Sequence, residues 1–254
     1  AMKYSVLDTS TGITTYTYTN FSDAIDAAPT AQQSTAYVFG DVTVAADKDV
    51  TAGIIVSFNT GSQLMIDEGV VLTIADGATF SGATDAEIVV DGTMVSNDYT
   101  NDMRITDIES DVVRTEGAVR TWTSLYNAIN ELGWTDITLS GAVIIDEDLT
   151  IPAGTTVTTN VAPVTDENGT YSILVKGATL TVEGTLEMQS TARGALDVAQ
   201  NSAGEDGEIV VTGTVVRTVM TSAVGQDFEY FKSGDNAVDG VFFTLKQGAN
   251  STFY

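Results

Sequence analysis

The chain repeats itself, and no other feature limits its fold so strongly. Asn20-Phe21-Ser22-Asp23-Ala24-Ile25-Asp26 returns as Ser124-Leu125-Tyr126-Asn127-Ala128-Ile129-Asn130, with Tyr18 and Trp122 two residues ahead in each copy. Residues 47–51, followed by Ala52-Gly53, match residues 146–150, followed by Ala153-Gly154. Residues 87–95 return as 208–216 with seven of nine identical. The order of the three blocks is preserved, which is the signature of a tandem repeat architecture. The expected division is a first repeat over 1–103, with a helix at 21–28, and a second over 104–220, with a helix at 125–132. Residues 241–254 resemble the lead-in 4–18, so 221–254 reads as the start of a third, truncated repeat and the chain as part of a longer array.

Each repeat opens on an amphipathic helix. Phe21, Ala24, Ile25 and Ala28 fall at i, i+3, i+4 and i+7, as do Leu125, Ala128, Ile129 and Leu132. Asn20 and Ser124 stand at the N-caps, and Pro29 and Gly133 stop the helices. The period then switches to two. Leu72-Thr73-Ile74, Leu149-Thr150-Ile151 and Leu180-Thr181-Val182 alternate apolar residues with threonine, as half-buried strands do.

Between such strands lie the turns 75–79, 152–156 and 176–179, in which glycine is fixed while the residue before it is Asp, Ala or Lys. A type I′ hairpin needs positive φ at both central residues and would hold Asn or Asp there. A corner that needs positive φ at glycine alone tolerates the variation. The expected fold is therefore mainly β: two tandem right-handed parallel β-helix (β-solenoid) repeats, each opened by a short capping helix. Tandem β-sandwich domains are the alternative.

Leu125 to Ile129, residues 148–154 and residues 177–182 together resemble the repeat of large adhesin-like and surface-layer-like proteins of archaea and bacteria, which are similar to pectate-lyase-type right-handed parallel β-helices. The resemblance covers most of both repeats. It implies a cell-surface or secreted location and specifies an architecture rather than an activity.

Composition narrows the chemistry. Ten basic against 35 acidic residues among 254 give a net charge of −25, which repels nucleic acid and anionic lipid. There is no cysteine and no histidine, so disulfides, thiolate chemistry and imidazole catalysis are excluded. No apolar run approaches the length of a membrane span. Asp47 with Asp49, and Asp146 with Asp148, are spaced by two; on a strand each pair would share an outward face, where a divalent cation such as Ca2+ relieves their repulsion. The alternative is solvated charge that discourages edge pairing. Residues 166–169 have an acidic turn character but lack the ligand spacing of an EF-hand loop.

Glycoside cleavage needs two facing acids and aromatics to hold sugar. Here the acids are scattered, the aromatics gather at the repeat starts and near Phe228, Tyr230 and Phe231, and Arg193 and Lys176 are the basic candidates. Tyr18, Trp122 and Trp134 are expected to pack rather than to bind carbohydrate. Asn20, Asn168 and Asn250 open sequons. The polar stretches 161–171 and 197–206 read as enlarged surface loops. The expectation is a non-enzymatic structural or adhesive module whose partners are its neighbouring repeats. The alternatives are a polysaccharide- or host-ligand-binding module, or a polysaccharide-degrading β-helix enzyme.

Overall fold

Helix formation starts where the sequence supplies a cap. The structure is a computed structural model, and it describes residues 2–8, 12–28, 33–188, 196–217, 231–233, 243–245 and 250–252. Helix α1 spans Phe21–Asp26; Asn20 is extended at φ −137° and its Oδ1 accepts the Asp23 N–H at 2.8 Å. A four-residue helix, α2, spans Tyr99–Asp102, and α3 spans Leu125–Asn130. The Ser124 hydroxyl accepts the Asn127 N–H at 3.1 Å, and Trp134 N–H returns to the Ala128 carbonyl at 2.8 Å across Gly133, at φ +62°. Both α1 and α3 stop two residues short of the expected 21–28 and 125–132. Leu132 consequently lies beyond the helix and is 38% exposed, whereas Leu125, Ala128 and Ile129 are buried.

The chain divides into two units, 1–127 and 128–254. In the first, successive strands visit three sheets in rotation. Ser34–Val38, Ile54–Phe58 and Thr79–Gly82 pair in parallel in one sheet. Asp41–Val44, Gln63–Ile66, Glu87–Val90 and Asp107–Glu109 form the second, and Lys48–Val50, Val71–Ile74 and Thr93–Ser96 run in parallel in the third. Antiparallel pairs close this ladder. Met2–Asp8 pairs with Gly12–Tyr18 and with Ser34–Val38; Val119–Thr123 pairs with Thr93–Ser96 and with Val112–Glu116.

The second unit follows the same rotation. Asp136–Thr138, Thr156–Thr159, Thr185–Met188, Thr214–Arg217 and Asn250–Thr252 share one sheet. Val143–Ile145, Ile173–Lys176, Leu196–Ala199 and Phe231–Ser233 share the next, and Leu149–Ile151, Thr179–Val182, Glu208–Val211 and Phe243–Leu245 the third. All these pairs are parallel, unlike the antiparallel sheets of a sandwich. Between the first two sheets an antiparallel hairpin, Val164–Asp166 with Gly169–Tyr171, is inserted.

Register converts sequence alternation into aliphatic columns. Val42, Leu64 and Ile88 stack in the first unit; Ile137, Val157, Leu186 and Val215 do so in the second, all buried. Each fully buried Val, Leu or Ile contributes about 1.5–3 kcal/mol. The expected alternation holds: Leu72, Ile74, Leu149, Ile151, Leu180 and Val182 are buried, and Thr73, Thr150 and Thr181 are not.

Two corner types bend the chain between sheets. In 67–70, 75–78 and 152–155 the N–H of the fourth residue returns to the carbonyl of the first at 3.0–3.1 Å, with Gly69, Gly77 and Gly154 at φ +72°, +84° and +87°. No described residue other than glycine has positive φ. The other corner places Gly92, Gly184 or Gly213 flat against the backbone of the preceding turn. There the N–H groups of two consecutive residues share one carbonyl: Asp91 and Gly92 on Ile66, Glu183 and Gly184 on Ile151, Thr212 and Gly213 on Val182.

The matching blocks 87–95 and 208–216 both span this second corner. In the first unit it joins the second sheet to the third; in the second unit it joins the third sheet back to the first. Their likeness thus marks a shared corner geometry rather than one position in the rotation.

Candidate functional site

A carboxylate one residue ahead of a strand can reach the backbone of the strand stacked on it. Asp47 Oδ1 accepts the Val71 N–H at 2.8 Å, and Asp148 Oδ1 accepts the Thr179 N–H at 2.8 Å. Lys48 lies opposite Leu72 and Leu149 opposite Leu180, so each aspartate closes the first rung of its ladder. Gly53 and Gly154, each six residues on, are both at φ +87°. Asp47 therefore corresponds structurally to Asp148, two residues from the Asp146 that matching by residue type selects.

The four candidate metal ligands do not lie on strands in pairs. Asp49 is within the strand Lys48–Val50, whereas Asp146 and Asp148 lie in the connection between Val143–Ile145 and Leu149–Ile151. All four are exposed. Among the described residues no group of three or more acidic side chains is placed to hold a metal ion.

The expected loop at 161–171 is instead a hydrogen-bonded hairpin. Tyr171, 4% exposed, packs with Leu174 and Ala199, while its hydroxyl donates to Asp166 Oδ2 at 2.7 Å. The other oxygen of Asp166 accepts the Asn168 N–H at 2.6 Å, and Lys176 Nζ donates to Asn168 Oδ1 at 2.6 Å. The Tyr171 hydroxyl, and then the Asn168 N–H, hold the Asp166 carboxyl below its ordinary value. Burial, and then the Asp166 carboxylate, push the Tyr171 phenol up.

The second expected loop, 197–206, is shorter than its composition suggested. Leu196–Ala199 is a buried strand in register with Ile173–Lys176, and Asp197 within it is 4% exposed. Only 200–206 is loop, tied by Asn201 Oδ1 accepting the N–H groups of Ala203 and Glu205 at 3.0 Å.

The aromatic residues divide clearly. Trp122 is 5% exposed and belongs to the first unit's core, and Tyr18 is half-buried against it. The Arg120 guanidinium lies 3.7 Å from the Tyr99 ring centroid and 5.8 Å from that of Trp122. Trp134 is half-buried. Asn20 is engaged as a helix cap through both side-chain atoms. Arg193, Phe228 and Tyr230 lie outside the described residues, as do the side chains of Phe231 and Asn250.

One structural carboxylate is not singled out by the sequence. Ser34 N–H bonds the Gly53 carbonyl at 3.2 Å, Gly53 N–H bonds the Gly77 carbonyl at 2.9 Å, and Gly77 N–H ends on Asp102 Oδ2 at 2.9 Å. Asp102 occupies the place a further turn's carbonyl would take, and burial raises its pKa. The Asx-rich stretch from Asp98 to Asp102 was its only sequence signal.

No protein-family model matches the chain, and neither a curated protein nor a solved structure matches it.

Proposed function

We propose that the chain is a non-enzymatic structural module of a large cell-surface or secreted protein, each unit being a right-handed parallel β-solenoid. The supporting observation is the cyclic parallel pairing, in which each strand stacks on the strand of the previous turn and buries a continuous aliphatic column. Right-handed winding follows the general rule for parallel crossovers. Such a stack acts mechanically: force along it is resisted by many rungs, and neighbouring repeats extend it. The net charge of −25 keeps the surface solvated and attracts divalent cations.

Single-molecule stretching tests the mechanical role. Cooperative unfolding of two units at forces well above the entropic baseline supports it; gradual extension at low force overturns it. Proteolytic shaving of intact source cells tests the location, with protection of this chain as the overturning result. The cation component is read separately, as a melting temperature that rises with millimolar calcium and falls with chelator.

A second reading, a polysaccharide- or host-ligand-binding module, draws on the inserted hairpin, whose internal bonds present a fixed polar surface. A glycan array comparing the intact chain with one lacking 161–171 separates the two. Release of reducing ends from acidic polysaccharide would instead indicate an enzyme.

A further inference from the structure

Asn168-Gly169 is the one Asn-Gly dipeptide in the sequence, and it occupies the tip of the inserted hairpin. Gly169, at φ +114°, has no Cβ to shield its amide nitrogen from the preceding side chain. The asparagine is held on both sides. Lys176 Nζ donates to Oδ1 at 2.6 Å; Asp166 accepts the backbone N–H at 2.6 Å and lies 3.4 Å from Nδ2. Asp166 is fixed in turn by the hydroxyl of Tyr171, whose ring is anchored beneath the hairpin. A reactive amide, a cation on its carbonyl oxygen and a carboxylate beside its leaving group are thus brought together.

We propose that Asn168 is a self-modification site that converts through a cyclic imide to aspartate and isoaspartate. The Gly169 amide nitrogen attacks Asn168 Cγ and forms the N–Cγ bond. Negative charge gathers on Oδ1, opposite the Lys176 ammonium, which stabilises it as an oxyanion-hole donor does. Solvent water takes the Gly169 proton, Nδ2, beside the Asp166 carboxylate at 3.4 Å, gains one, the Cγ–Nδ2 bond breaks, and ammonia leaves. Water then adds across either imide C–N bond, giving the α- or β-linked acid. No oxidant or reductant is consumed. The α-linked product places a carboxylate against Lys176 where a neutral amide stood; the β-linked form keeps an amide at Cγ, moves the free carboxylate to Cα and adds a methylene to the hairpin backbone.

The test is to age the intact protein at neutral pH and map its peptides, following the amide-to-acid mass gain and isoaspartyl methyltransferase labelling. Asn168 should convert faster than Asn201, which precedes Ser202 in a comparably exposed loop. Lys176→Met should slow conversion by about three- to tenfold, less than the loss of a donor in a water-excluded oxyanion hole, and Lys176→Arg should restore it. Asn168→Asp should give no further gain at this peptide. Conversion at Asn168 no faster than at Asn201, an unchanged rate in Lys176→Met, or a peptide cross-linked between residues 168 and 176 would each overturn the proposal.

Discussion

Asp148 and Thr179 are 31 residues apart, yet one oxygen of the first caps the backbone N–H of the second at 2.8 Å. Asp47 and Val71 stand in the same relation in the first unit. A side-chain acceptor at the first rung of a parallel ladder does for a strand what an N-cap does for a helix. Asp148→Ala and Asp47→Ala should each cost about 0.5–2 kcal/mol, the range of a lost cap. Asparagine at either position retains an acceptor oxygen and should restore most of it. Urea midpoints of the four variants decide this; equal loss in the alanine and asparagine forms would show that charge, not the acceptor, matters.

Asp102 gives the first unit a pH response of defined sign. Burial raises its folded pKa above the ordinary 3.8, against the lowering effect of the Gly77 N–H. As pH rises from 3.8, the unfolded chain ionises first, so this group's contribution to stability falls until pH passes the raised folded value. Asp102→Asn keeps an acceptor for Gly77 without a charge. Its stability relative to the parent should therefore grow across that window and level off above it. Thermal melts of both proteins from acid to neutral pH measure the gap; a gap constant with pH would refute the assignment.

The parts legible in sequence were those that each turn encodes locally. Alternation in Leu180-Thr181-Val182 gave the buried face, and glycine with a variable predecessor at 75–78 and 152–155 gave corners with positive φ at glycine alone. Asn20 and Ser124 gave the caps. Correspondence between units was harder to read. Matching by residue type aligned Asp47 with Asp146, because the paired acids dominate the comparison. The chain is actually registered by the distance from the capping carboxylate to the corner glycine, which selects Asp148. The antiparallel closures at 112–123 and the Asp102 cap were hidden for a different reason. They depend on which backbone groups a finished stack leaves unpaired, and no local pattern records that.

The ion pair between Lys48 and Asp26 links α1 to the strand Lys48–Val50. The aspartate side chain is 70% exposed and the lysine 13%, so water screens most of their attraction. Asp26→Asn should cost less than about 1 kcal/mol. The difference should vanish in molar salt, where the screening length falls to about 3 Å. Denaturation at low and high salt reads both, and a larger, salt-independent loss would point to packing under α1 instead.

The two glycine corners should fail differently. At Gly53 an added Cβ meets no neighbour within 4 Å, so Gly53→Ala carries only the strain of φ +87°, about 1–2 kcal/mol. At Gly184 the Cβ would overlap the carbonyl oxygens of Pro152 and Thr155, and at Gly92 those of Asp67 and Val70. These oxygens belong to the turn stacked beneath, where Thr155 accepts from Thr185 and Val70 accepts from Thr93. Relief requires separating two rungs, which also opens the columns through Leu186 and Met94. Gly184→Ala and Gly92→Ala should therefore cost more than Gly53→Ala, by about 1–3 kcal/mol as overpacking does. Melting temperatures in that order would tie stability to the closeness of stacked turns. Equal losses at all three positions would assign it to backbone conformation alone.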